Sequence, residues 1–182
     1  MDGAPRIRRY DGRDQETVLS LHRHSFTALA AGSYGPDQLA AHDALVAQPS
    51  SAEALTSFDL WLAIATGGEV IGSAGWHPVG PAELPAAVAT ALTIDRRTCA
   101  RVRKVYVAPH RARQGIATTL VGHVEAQAHE QGHGTVVLRA NLNAVPLYRR
   151  LGYDDVAPGV IATPGVDLPV LWMAKHLAHL LR

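Results

Sequence analysis

Residues 105–128, VYVAPHRARQGIATTLVGHVEAQA, combine the residue types of an anion site at suitable spacing. They read as a strand, a tight basic turn and a helix that opens on Gly115-Ile116-Ala117. The first turn of a helix leaves backbone N–H groups unpaired, and the helix dipole adds positive potential there. Set directly after a strand and rimmed by Arg111 and Arg113, such an end is suited to cradle a phosphate. Glycine at 115 lets backbone approach a ligand where a side chain would block it. A second marked stretch, NLNAVPLYRRLGY, follows at 141–153, and the two segments together point to one function more firmly than either alone.

Other chemistries fit less well. The single cysteine, Cys99, excludes an intrachain disulfide and a thiolate metal cage, and it reads as structural rather than nucleophilic. The histidines never form a dense ligand pattern and no HExxH occurs, so no metal is expected. His22 and His24 are two apart and diverge on a helix. A Gly-x-x-x-x-Gly-Lys-Ser/Thr loop is missing, as is Gly-x-Gly-x-x-Gly after an early strand, which argues against a P-loop enzyme and a dinucleotide fold. Net charge is +1, which decides nothing about nucleic acid, although basic residues gather at 96–113.

The elements that must position these residues follow from the apolar pattern. At 182 residues, 47% of them apolar, the expectation is one domain spanning 1–182 with a substantial core. No apolar stretch has the length of a membrane span, and MDGAPRIRRYDGRDQE lacks the apolar run of a signal peptide; a cytoplasmic location is expected. Ile7–Tyr10 predicts a first strand, and Asp14 a cap for a helix carrying Val18, Leu21, His22, Phe26 and Leu29 inward, ended by Gly32. A second helix over 37–47 is broken by Pro49-Ser50-Ser51. Leu60–Ala65 and Glu69–His77 read as a hairpin around Gly67-Gly68, and 78–87 as a loop. Residues 88–94 fit either an extra strand or a turn of helix. In an extended strand Val102, Lys104 and Tyr106 face one way, and Arg103, Val105 and Val107 the other. The helix after Gly115 turns Ile116, Leu120, Val121, Val124 and Ala128 to one side. Thr135–Leu138 reads as a central strand, Ala144–Leu151 as a short helix closed by Gly152, 154–168 as a loop and Val170–Met173 as a last strand. The class is α/β (α+β), a mixed sheet flanked by helices.

These segments resemble the GCN5-related N-acetyltransferase (GNAT) superfamily. Its acyl-CoA signature is a Gln or Arg, two residues, Gly, one residue, then Gly or Ala, after a strand ending in Val-x-Pro. Here Val107-Ala108-Pro109 precedes Arg111-Ala112-Arg113-Gln114-Gly115-Ile116-Ala117. Gly115 and Ala117 fall on the signature positions, while Ala112 replaces the Gln/Arg, with Arg111 and Arg113 beside it. The second family segment is matched by Asn141, Ala144 and Leu147-Tyr148-Arg149-Arg150-Leu151-Gly152-Tyr153.

The resemblance implies a partly splayed central sheet. It implies acetyl-CoA as co-substrate, its pantetheine arm alongside Tyr106 and Val107, its pyrophosphate on the N–H groups from Gln114 through Gly115, Ile116 and Ala117 to Thr118, and a hydroxyl from Thr118 or Thr119. It implies direct attack by a neutral amine in a ternary complex, with the Val107 N–H on the thioester carbonyl, Tyr148 protonating the leaving thiolate and Asn141 holding the splayed strand or the pantetheine arm. Many members place a Glu on the strand before the signature. Arg103 and Lys104 stand there, so the base is sought in His77, with His110, Asp95, Tyr106 and a water relay as alternatives.

In the family the acceptor is set by residues 20–48, 78–100 and 154–168, and here these carry no acidic cluster that declares a polyamine or aminoglycoside; a small-molecule amine is expected over a protein substrate. Asp154 and Asp155 read either as a lure for a cation or as solvated turn residues. Protein or peptide acetylation, an acyl-CoA-binding domain without turnover, and a nucleic-acid module built on Arg96, Arg97, Arg101, Arg103 and Lys104 are the rival readings. No nucleic-acid or membrane partner is expected. Homodimers are common in the family, and no stripe of this sequence demands one.

Overall fold

The computed structural model describes residues 3–80, 83–92 and 98–177. Seven strands form one sheet: β1 (Arg6–Arg9), β2 (Asp59–Ile64), β3 (Val70–Pro78), β4 (Cys99–Val107), β5 (Thr135–Asn141), β6 (Asp154–Ile161) and β7 (Leu168–His176), in the spatial order β1-β2-β3-β4-β5-β7-β6. Every neighbouring pair is antiparallel except β4–β5, the two strands joined by the crossover helix. The helices are α1 (Gln15–Leu29), α2 (Pro36–Val46), α3 (Pro49–Glu53), α4 (Ala86–Leu92), α5 (Ile116–Glu130) and α6 (Val145–Arg150). Among the described residues no helix is long and apolar enough to cross a membrane.

The α5 face predicted from spacing is the face that packs: Ile116, Leu120, Val121, Val124 and Ala128 are buried against Ile71, Ala74, Ala100, Val102, Val136 and Leu138. A half-buried ion pair, Lys175 Nζ to Glu125 Oε2 at 2.6 Å, also ties β7 to this helix. Gly72 is where β3 lies closest to α5. A Cβ there would stand 2.8 Å from Leu120 Cδ1, 3.0 Å from Ile116 Cγ2 and 3.1 Å from the Tyr106 carbonyl oxygen. That carbonyl is backbone and cannot step aside. Gly72→Val is therefore expected to destabilise the fold by roughly 3 kcal/mol, the upper part of the usual range for overpacking. In a domain of this size that lowers Tm by on the order of 10 °C, and an unchanged melting curve would contradict this packing.

Several elements differ from the sequence reading, each for a local reason. The side-chain capping bond falls one turn earlier than expected: Asp11 accepts from Arg13 N at 3.0 Å and caps the 3-10 turn Gly12–Asp14 that leads into α1. The Asp14 carboxylate is held by Arg8 at 2.7 and 2.8 Å and accepts from Asp11 N at 3.0 Å, so although Asp14 stands at the start of α1 its side chain makes no capping bond to that helix. Pro49 does not simply break a helix. It opens α3 from the first-turn position, where its missing N–H costs nothing. Residues 86–92 resolve the ambiguous segment as helix α4, whereas residues 93–97, with Asp95, Arg96 and Arg97, lie outside the described residues. The stretch 154–168 is not all loop, because Asp154–Ile161 forms β6. Pro158 and Gly159 disguise it. Proline is tolerated on an edge strand, and Gly159 is required because a Cβ would lie 2.8 Å from the Trp172 ring.

Candidate active site

β4 and β5 pair only at Cys99–Arg101 with Thr135–Val137. Beyond that point each turns to its other neighbour: β4 stays on β3 as far as Val107, and β5 on β7 as far as Asn141. The sheet thus opens as a wedge between Val102–Val107 and 138–141. A bulge marks the start of the opening. The β3–β4 register slips between Ser73 and Gly75, and Lys104, a non-glycine residue, has φ 55°. An extra residue bends and twists the strand that carries it. It also breaks the expected two-sided alternation, so that Arg101 through Tyr106 all contribute to one cavity wall.

A buried chain pins the bulge. The Ser73 hydroxyl donates to the Lys104 carbonyl at 2.7 Å, and His22 Nε2 lies 2.9 Å from the same hydroxyl. Since the serine proton is already committed, His22 must donate from Nε2. Burial pushes its pKa well below the ordinary value, and the ring is neutral. The ring also stacks on Tyr106 at 4.2 Å. Because Ala108 N–H bonds to Ile71 on β3, the preceding N–H, that of Val107, faces the wedge. There it donates to Ser25 Oγ over 3.3 Å, a long bond that a better acceptor can displace.

One side of the wedge is a cavity of about 580 Å³. Its floor is the start of α5. Arg113 has φ 65° and Gly115 φ 81°, so the chain turns sharply into the helix. The first helical bond there is Thr119 N to Gly115 O, which leaves the N–H groups of Ile116, Ala117 and Thr118 without intrahelical acceptors. These three residues line the cavity together with Arg111, Ala112, Arg113 and Arg150. That set of donors and cations can receive a phosphate group.

On the other side is a smaller cavity of about 160 Å³. Val105, Tyr106, Asn141, Ala144 and Tyr148 line both spaces. Tyr148 is buried, packs edge-on against Tyr153, and has its pKa raised by burial and by the neighbouring Tyr106. It therefore holds its proton throughout the neutral range. Asn141 makes no side-chain capping bond, so it is a wall residue rather than a helix cap. Tyr34 fixes the loop after it. The Tyr34 hydroxyl donates to Pro169 O at 2.7 Å and accepts from Leu142 N at 3.0 Å. His42 Nε2 sits 3.1 Å from the Tyr106 hydroxyl. Burial, helped by Lys104, lowers the His42 pKa to about 4, and burial raises Tyr106 to about 12.

The sequence matches the acetyltransferase (GNAT) family over residues 20–153. The chain belongs to that family. Acetyl-CoA-dependent acetyl transfer is the activity that membership carries. Among solved structures, a GCN5-related N-acetyltransferase from Rhodopseudomonas palustris superposes with a TM-score of 0.79 at 20% identity, over 97% of this chain and 98% of that one. The PaiA N-acetyltransferase from Thermoplasma acidophilum, in complex with coenzyme A, gives 0.66 at 16% identity, over 96% and 99%. The protein yncA from Salmonella typhimurium, with its cofactor acetyl-CoA, gives 0.63 at 19% identity, over 96% and 95%. At these identities the likeness is one of fold. No curated protein matches the sequence significantly.

Within this GNAT fold the residues singled out by sequence separate into two groups. Tyr106, Val107, Arg111, Arg113, Gly115, Ile116, Ala117, Thr118, Asn141 and Tyr148 converge on the larger cavity. Gln114 does not line it and instead reaches the His110 carbonyl over 3.4 Å. Thr119 turns its hydroxyl back to Gly115 O, leaving Thr118 as the hydroxyl on the wall. His77 lines neither cavity. Its Nε2 is 2.7 Å from Glu83 Oε1, and burial lowers its pKa in spite of that carboxylate. Its ring is engaged by Glu83, whose same oxygen also takes Arg101, and it does not reach the cavity wall, so it is badly placed to receive an acceptor's proton. His110 pairs with Glu69 at 3.1 Å, more than half exposed. Cys99 is buried with its thiol pushed up to about 12, a poor nucleophile. Ser25, Tyr34, His42, Arg139 and Arg150 were not legible as site residues, because α1, the turn after it, α2, β5 and α6 bring them in from separate parts of the sequence.

Proposed function

We propose that the protein transfers an acetyl group from acetyl-CoA to the primary amine of a small molecule, by direct attack in a ternary complex. The observation that carries this reading is the pair of cavities meeting at Tyr148 and Asn141 across the opened β4–β5 wedge. Acetyl-CoA fits the larger one. Its pyrophosphate would accept from the N–H groups at the start of α5, with Arg111, Arg113 and Arg150 around it, and Thr118 would add a hydroxyl. Its pantetheine arm would add to the free edge of β4 at Val105–Val107. The thioester would then reach the junction, where the Val107 N–H can leave Ser25 for the carbonyl oxygen as charge develops. The Tyr148 hydroxyl would donate to the departing thiolate. The smaller cavity would hold the acceptor.

Among the described residues no carboxylate lines either cavity. The positive field of the smaller cavity reduces what a base has to do. Lys104 there is lowered to about 8, first by burial and then by Arg103 and Arg139. An acceptor ammonium in the same surroundings is pushed the same way, so a larger fraction of it is present as the neutral amine that attacks, its proton passing to water. Tyr106, beside the neutral His42, stands where such a water would pass. CoA release from acetyl-CoA in the presence of an amine panel tests the reading. Amine-dependent release is expected, and binding of acetyl-CoA without release for any amine would instead favour a domain that binds the cofactor and does not turn over.

A further inference from the structure

The smaller cavity carries a charge pattern that its role as an acceptor site does not by itself require. Arg101, Arg103, Lys104 and Arg139 line it, and among the described residues no acid does. Glu83 neutralises one end from outside, 2.9 Å from Arg101 and 3.9 Å from Arg103, while also engaged by His77 and by Gly80 N. Among the described residues Lys104 and Arg139 form no ion pair with a carboxylate; Arg139 lies 5.7 Å from the Trp172 ring and feels Glu83 only at a distance. We propose that the acceptor amine carries a carboxylate or a phosphate, and that Lys104 and Arg139 bind that anionic group in the smaller cavity. The proposal rests on the reading of this cavity as the acceptor site.

Burying cations without counter-charge is unfavourable, and a ligand that supplies the counter-charge recovers the loss. Both cations show that strain: burial lowers Arg139 as well as Lys104. Lys104 also occupies a backbone conformation rarely adopted by side-chain-bearing residues, at the bulge that turns it toward the cavity. Cationic acceptors are disfavoured by the same charges. The acids that might have drawn them are elsewhere: Asp155 is held by Arg149 on an exposed face, and Asp154 is exposed. Size limits the acceptor too. A space of about 160 Å³ is close to the roughly 150 Å³ of an engineered cavity that takes benzene, so the buried part of the acceptor is small.

Matched amines differing only in the anionic group provide the test. Leucine is compared with isopentylamine, and phosphoethanolamine with ethanolamine, so that carboxylate and phosphate are separate arms; putrescine serves as the cationic probe. Each is titrated into the desulfo-CoA-saturated protein by calorimetry, and each is assayed for acetyl transfer. The anionic member of at least one pair should bind on the order of 30-fold more tightly than its neutral partner, as expected for hydrogen bonds to charged groups. Lys104→Met and Arg139→Met should each reduce that preference by on the order of 10-fold. Methionine at 104 meets the same backbone strain as lysine, and desulfo-CoA affinity with the melting curve reports whether either variant is folded. Neutral amines or putrescine binding as well as the anionic probes would overturn the proposal, even with transfer intact. So would failure of every probe to bind. Binding of an anionic probe without acetyl transfer would uphold the anion site and overturn the transferase reading.

Discussion

Tyr148→Phe is expected to lower kcat by on the order of 100-fold while acetyl-CoA binds as before. That factor corresponds to about 2.7 kcal/mol of transition-state stabilisation. The substitution removes one hydroxyl from a side chain that otherwise packs within the main core, edge-on to Tyr153, so the wall of both cavities stays in place. What is lost is a proton donor at the junction. The direction of its pKa shift suits a general acid. Burial raises it, so the donor form persists as pH rises and the wild-type rate has no alkaline fall from this group below about pH 10. The loss is partial because a CoA thiolate, with a pKa of about 8.5, leaves with only modest help. Single-turnover rates of the two proteins from about pH 7 to about pH 9 decide the matter. Identical rates across that range would remove Tyr148 from the chemistry.

Gly115→Val should weaken acetyl-CoA binding by on the order of 100-fold with a folded protein, through the backbone alone. A Cβ at Gly115 meets no atom within 4 Å, so crowding is not the cause. The residue has φ 81°, and a β-branched side chain there costs about 1–3 kcal/mol of strain. The turn relieves that strain by rotating toward negative φ, which swings the N–H groups of Ile116, Ala117 and Thr118 away from the phosphate position. Gly122→Ala is the control. It sits mid-helix on the exposed side of α5 with open space around it, and should raise stability by about 1 kcal/mol while leaving binding unchanged. Equal affinities for wild type and Gly115→Val would mean that the start of α5 does not hold the pyrophosphate.

These two residues are legible in the sequence because their signals are local: a glycine between a strand and an amphipathic helix, and a tyrosine inside a short spaced motif. The α5 face and the β2–β3 hairpin were legible for the same reason, as periodicity within one element. The rest depends on registry between elements. The bulge at Lys104 is a one-residue slip against Ser73, visible only once β3 and β4 are paired. The chain from His22 through Ser73 to the Lys104 carbonyl spans three elements. His77 looked suitable because it ends a strand near the expected site, but a strand's sequence does not say what stands opposite its end. Glu83, in a stretch rich in proline, supplied that partner. β6 was hidden by Pro158 and Gly159, residues that an edge strand and a tryptophan ring allow and the sequence pattern alone disfavours.

The central claim is that the wedge between β4 and β5 binds acetyl-CoA through the start of α5. Isothermal titration with acetyl-CoA, desulfo-CoA and ATP tests it most directly. Micromolar binding of both CoA compounds, with little for ATP, is predicted, because the pantetheine arm on the β4 edge must add to what the phosphate cradle supplies. No binding of acetyl-CoA at high protein concentration would contradict the account, and would mean that alanine at 112 in place of the family's Gln or Arg has emptied the site of its function.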